Sequence, residues 1–247
     1  MGGLIVTAQE PRQSWTRAVP RSLLASLAIL AVAAVAAACG GQTAPEGSGA
    51  APAASSLAPV ATGVTACAGD APAGDVAAAG ALIDAANLAD AATITLIQAI
   101  RFTPAGTLAA CRHLAAGVTG DALWAAAWVY GTGGTDPDPL LALLGSDDPT
   151  IRAIAGAGLA SLGRVEGLDA LAGLVSVDAG LRGSLPPVSV SAFSAATLAD
   201  VTNGAVGDVS TSTPEERTDS AAAWRSWLDG TRSRLSFDAD QRLWLAR

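Results

Sequence analysis

The chain of 247 residues contains no lysine. A P-loop, a Schiff-base enzyme, a protein kinase and a Ser-x-x-Lys acyl enzyme each need that side chain, so all four are excluded. Histidine occurs once, at His113. A His-bearing triad therefore has one candidate base, and a zinc site would need ligands of other types. Positive charge is scarce, with 14 arginines against 22 acids and a formal balance of −8, which argues against a nucleic-acid surface. Aromatic residues make up 4% and charged residues 15%, whereas 51% fall in the hydrophobic class. The length permits one or two domains.

What is present begins with a bipartite leader. Residues 1–21 carry Arg12, Arg17 and Arg21 with one acid, Glu10, and residues 23–38 then run without a charge. A positive segment followed by an apolar one is the pattern of an export signal. The apolar run is shorter than the roughly 18 residues expected of a bilayer-spanning helix, and half of it is alanine. It ends in Ala36-Ala37-Ala38-Cys39-Gly40-Gly41, which resembles a bacterial lipoprotein signal, although Ala36 stands where that family usually has Leu. The resemblance implies cleavage after residue 38 and a lipid on the Cys39 thiol. Ala36 and Ala38 also satisfy an Ala-x-Ala cleavage site, and a retained anchor is a third reading; all three agree on export. An acylated Cys39 would hold the mature protein on a membrane, because each buried CH₂ contributes roughly 0.8 kcal/mol.

Residues 39–73 are dominated by Gly, Ala, Pro, Ser and Thr, with few side chains large enough to offset the entropy of ordering them. They are expected to form a flexible tether. From residue 40 onward there are 11 arginines against 21 acids, so a basic patch would not hold this part on anionic lipid. Cys67 and Cys111 remain as a pair in an exported chain. They form a possible disulfide, or else Cys111 is a small buried hydrophobe on its helix.

Residues 74–247 read as short helices divided by Gly, Pro and Asp. Asp148 is placed to cap a helix whose first position is Pro149. Ile151, Ile154, Ala155, Leu159 and Leu162 share one face of it, and Gly163 stops it. Residues 165–175 repeat the geometry with Leu168, Leu171, Ala172 and Val175, and the two- to three-residue link makes the two helices antiparallel. A similar pair is predicted for residues 121–130 and 139–144, and another helix starts around Val190, Phe193, Thr197 and Val201.

The stretch from Leu140 through Asp148, Pro149, Ile151, Arg152, Ala155 and Leu159 to Gly163 resembles a HEAT repeat of the short type found in bilin-lyase-related proteins. Neighbouring units lack the matching Arg. At the far end, Thr213-Pro214-Glu215-Glu216-Arg217 and Trp224-Arg225-Ser226-Trp227 resemble the closing unit of bacterial HEAT-repeat proteins. Thr213 and Glu216 compose a capping box, and Ala221, Trp224 and Leu228 form one apolar face, with Arg217, Arg225 and Asp229 expected to stay wet. A solenoid needs an end unit with a polar outer face, and this helix supplies one.

No residue pattern qualifies as a catalytic, cofactor or metal site. Cys111 and His113, two apart on a helix, lie roughly 200° around its axis and cannot converge on one atom. Asp136-Pro137-Asp138 and Asp147-Asp148 lack the alternating acids, glycine and distal Glu of a calcium loop, and read as helix caps. Gly131-Thr132-Gly133-Gly134 lacks dinucleotide spacing and reads as a loop. Trp124, Trp128, Trp224, Trp227 and Trp244 read as core, the alternative being a sugar-stacking or peptide-gripping surface. The HEAT-like resemblance implies that Arg152 bonds within its own turn, the alternative being contact with a partner.

The expected architecture is all-α: a right-handed α-solenoid of antiparallel helix pairs, HEAT- or armadillo-like, behind a disordered tether. The resemblance implies an exported, lipid-anchored scaffold for an unknown protein partner, with no cofactor and no nucleic acid. The alternatives are an accessory or catalytic protein of the lyase-related class and a purely structural envelope protein.

Overall fold

The computed structural model describes residues 67–207 and 209–247. Cys39, the leader and most of the expected tether lie outside them. The described part is mostly helical, consistent with an all-α fold. None of its helices is long and apolar enough to cross a membrane.

Local chemistry sets most helix boundaries. After α1 (Ala73–Asp84), α2 (Ala91–Ile100) starts where the Asp90 carboxylate accepts the N–H groups of Ala92 and Thr93, and it buries Ile94, Ile97 and Ile100. Thr103 caps α3 (Pro104–Ala115) by accepting from the Gly106 N–H, with Pro104 at the first position. After α4 (Gly120–Gly133) and the six-residue α5 (Asp138–Leu143), Asp148 caps α6 (Pro149–Ser161), accepting from Thr150 at 2.8 Å. Gly163, at φ +75°, ends that helix and turns the chain into α7 (Val165–Leu174). Ser189 caps α8 (Val190–Val201), and the Thr213–Glu216 capping box opens α9 (Pro214–Thr231).

Packing runs in series. Helix α3 lies against α1 and α4, α4 against α6, α6 against α7, and α7 against α8 and α9. The expected α6/α7 pair is the most closely packed. The pair expected from residues 121–130 and 139–144 is not one: α4 pairs with the preceding α3, and α5 packs on α6. A helix of six residues has too little flank to cover its neighbour, whereas the four-residue α3–α4 link returns a full-length helix.

Small residues let the backbones approach. A Cβ added at Gly158 of α6 would stand 2.8 Å from the Gly131 Cα of α4 and 2.7 Å from the Leu140 side chain. The expected loop at residues 131–134 is accordingly a correction: Gly131, Thr132 and Gly133 form the last turn of α4, which the α6 contact and the Thr132 hydroxyl bond to the Trp128 carbonyl (3.1 Å) hold in place.

One apolar core runs from Val76 to Leu159 through α1–α6, and a second joins Leu168, Leu171, Leu198, Trp224 and Trp244. The second includes an element absent from the expected architecture. After α9 and the 3-10 turn Arg232–Arg234, strands β1 (Leu235–Asp238) and β2 (Leu243–Ala246) form an antiparallel hairpin with Phe237 opposite Trp244. Buried Trp244 donates its indole N–H to the Ala160 carbonyl at 2.9 Å, and Phe237 packs over Gly163. The closing unit is thus a helix plus a hairpin. Arg217 is a further correction: its side chain is only 11% exposed and pairs with Asp178 at 2.8 Å, while Arg225 and Asp229 face solvent.

Candidate functional site: an arginine–aromatic cleft

Most residues singled out from the sequence have structural partners. Cys67 and Cys111 form a disulfide, so the last residues of the expected tether are bound to α3, and Ala73 already belongs to α1. His113 places Nδ1 2.7 Å from the Ala109 carbonyl and Nε2 3.0 Å from the Asp84 carboxylate. Arg152 donates to the Ser146 carbonyl at 2.6 Å, within its own turn. Asp148 caps α6 and also meets Arg182, which reaches Asp121 at 3.5 Å; Asp121 in turn accepts the Leu88 N–H at 2.9 Å. These contacts tie the loop before α8 to the helix starts below it. No group of three or more potential metal ligands comes together among the described residues.

The tryptophans divide into two sets. Trp124, Trp224 and Trp244 are core, and half-buried Trp227 packs edge-on against Trp224 at the second core. Trp128 is half-buried and lies at a cleft of about 180 Å³ lined by residues of α4, α6 and α8, with Arg101 and Arg242 at its edges. The close α4–α6 approach at Gly131 and Gly158 lies within this lining. Trp128 stacks on Trp124 four residues before it, ring centroids 5.8 Å apart and planes within 9°, and meets Phe193 at 6.2 Å.

Arg101 is the least ordinary group here. It closes α2, and its guanidinium lies 4.4 Å from the Phe102 ring centre and 5.6 Å from that of Trp128. Cation–π contact is its stabilising interaction. Its Nε is shielded from water with no acceptor among the described residues, as is the Trp128 indole N–H. Burial lowers the Arg101 pKa, because desolvation disfavours the charged form. Phe102 beside it is 70% exposed. Arg242 enters from the hairpin turn with φ +54°, a left-handed conformation that side-chain-bearing residues adopt at a cost.

Chemically the cleft offers cationic donors above an aromatic and aliphatic wall, an arrangement suited to binding rather than to bond-making. In the sequence Trp128 reads as a core or gripping residue, and helical periodicity does not distinguish Arg101, Phe102 or Arg242. The available signal was Arg101-Phe102 immediately before the Thr103-Pro104 cap: a charge and a large aromatic at a helix-to-helix turn, where neither is needed for capping. Compared with known proteins, the chain matches no family model, no curated protein and no solved structure.

Proposed function

We propose that the chain is an exported scaffold, lipid-anchored through Cys39 to the outer face of the cell membrane or another envelope membrane, whose HEAT-like helical array binds another protein. The observation that carries the reading is the cleft. Phe102 stands largely in solvent beside Arg101 and Trp128, and exposed aromatics with arginine are the residue types that anchor protein interfaces. The serial α3/α4 and α6/α7 pairs support the repeat reading, since each pair buries its apolar flank on its neighbour. The Cys67–Cys111 disulfide supports export to an oxidising compartment.

The test is made on the full chain in its native cells. Mass spectrometry of the mature N-terminus is expected to find an acylated Cys39, and a photo-crosslinking residue at position 102 is expected to give a discrete protein adduct. An N-terminus at another residue would remove the anchor, and the absence of any adduct would remove the scaffold.

A further inference from the structure

We propose that the cleft bounded by Arg101, Trp128, Phe193 and Arg242 receives a carboxylate side chain of a partner polypeptide, with a flanking apolar residue of that partner lying on the Trp128–Phe193 wall. This deepens the scaffold reading and rests on it.

Charge complementarity supports the assignment. The part of the chain beyond residue 39 is strongly acidic, yet the ionisable groups lining this cleft are both arginines. Elsewhere Arg164, Arg182, Arg217 and Arg232 each have a carboxylate partner within the chain. Arg101 and Arg242 have no ion pair or side-chain hydrogen bond among the described residues; exposed Arg112, Arg225 and Arg247 share that, but Arg101 and Arg242 are the two that line one cleft. The Arg101 guanidinium is already positioned by Phe102 and Trp128, and a carboxylate reaching it would meet a fixed donor fork rather than a mobile one.

Arg242 contributes an independent line. A hairpin position at φ +54° is one that Gly or Asn occupies at little cost, and an arginine held there directs its side chain to the cleft rim. The volume, about 180 Å³, has room for a side chain. Much of the lining is apolar, through Trp128, Ile154, Ala157 and Phe193, which favours a singly charged carboxylate over a phosphate needing donors on three oxygens.

The experiment uses the full chain in detergent and two fluorescein-labelled, C-terminally amidated peptides, Gly-Phe-Glu-Phe-Gly and its Glu-to-Gln isostere. The Glu peptide is expected to bind about tenfold or more tightly than the Gln peptide, with the gap narrowing as salt is raised. Arg101→Gln is expected to abolish the discrimination. Arg242→Gly is expected to reduce it while raising the thermal midpoint by about 2–4 °C, because glycine relieves the backbone; the binding loss is then not a folding loss. Equal affinity for the two peptides, or discrimination that survives both substitutions, would overturn the assignment. So would tighter binding of a phosphoserine peptide or of free 3-phenylpropionate. If the position-102 adduct forms undiminished in the doubly substituted chain, the cleft loses its role while the scaffold reading stands. If the peptides discriminate as expected but no adduct forms in cells, the scaffold reading is the one that fails.

Discussion

At the scale of single residues, carboxylates earn their positions by the donors they face. Glu216 accepts from Ser210 and from the Thr213 N–H, and Asp90 from the Thr93 hydroxyl and the Ala92 N–H; each lies below the ordinary carboxylate range for that reason, the side-chain bond being the larger cause. Glu166 is likewise lowered, chiefly by the hydrogen bond from Arg164. A depressed folded-state pKa means that the unfolded chain takes up protons first. The stabilisation is present above the ordinary carboxylate pKa near 4 and is lost as pH falls through the lower folded value. Stability measured by urea unfolding is therefore expected to be flat from neutral pH to about 5 and to fall below about 4. Glu216→Gln should shallow that fall, and an unchanged acid slope would show that the capping box contributes nothing to it. Capping was legible in the sequence at this scale, because a cap depends on neighbours three residues away. Asp148 before Pro149, and Thr213 with Glu216, announce themselves within four letters.

Among the elements, close approach decides which helices become neighbours. Periodicity exposed the apolar faces of α6 and α7, since Leu168, Leu171 and Ala172 recur at helical spacing. It did not reveal that α4 would choose α3 over α5, a choice made by helix length and by the glycine contact between α4 and α6. Gly158→Ala tests that contact. The added methyl meets the Gly131 backbone, which cannot yield as a flexible side-chain tip can, so a loss of about 1–3 kcal/mol is expected in denaturant unfolding. A neutral result would mean that the two helices separate freely. The hairpin was illegible for a related reason. Leu235-Ser236-Phe237-Asp238 and Leu243-Trp244-Leu245-Ala246 are short, and the intervening Ala239-Asp240-Gln241-Arg242 has no Asn-Gly or Gly signal, its left-handed position being filled by an arginine. Long-range contacts hold it instead: Trp244 to the Ala160 carbonyl, and Phe237 over Gly163.

For the molecule as a whole, the cleft could not be read from the chain in order. Arg101, Trp128, Phe193 and Arg242 belong to three helices or their ends and a hairpin, and no sequence pattern relates them until α4 and α6 cross. The cystine also acts at this scale. It closes a loop of sequence separation 44 across α1, α2 and most of α3, which on the chain-entropy model contributes roughly 3–4 kcal/mol. Unfolding in urea with and without reductant is expected to differ by about that amount, and the Cys67→Ser/Cys111→Ser double variant should match the reduced chain. Coincident oxidised and reduced curves would deny the bridge any energetic role.

The placement of that covalent bridge also has a mechanical meaning. Cys67 precedes α1 and Cys111 lies inside α3, so tension applied to the chain upstream of Cys67 passes through sulfur directly into α3. Helices α1 and α2 sit in a slack bypass that carries no load. A tug from the amino-terminal side therefore cannot peel the domain open from its end, and must shear α3 from its neighbours at once.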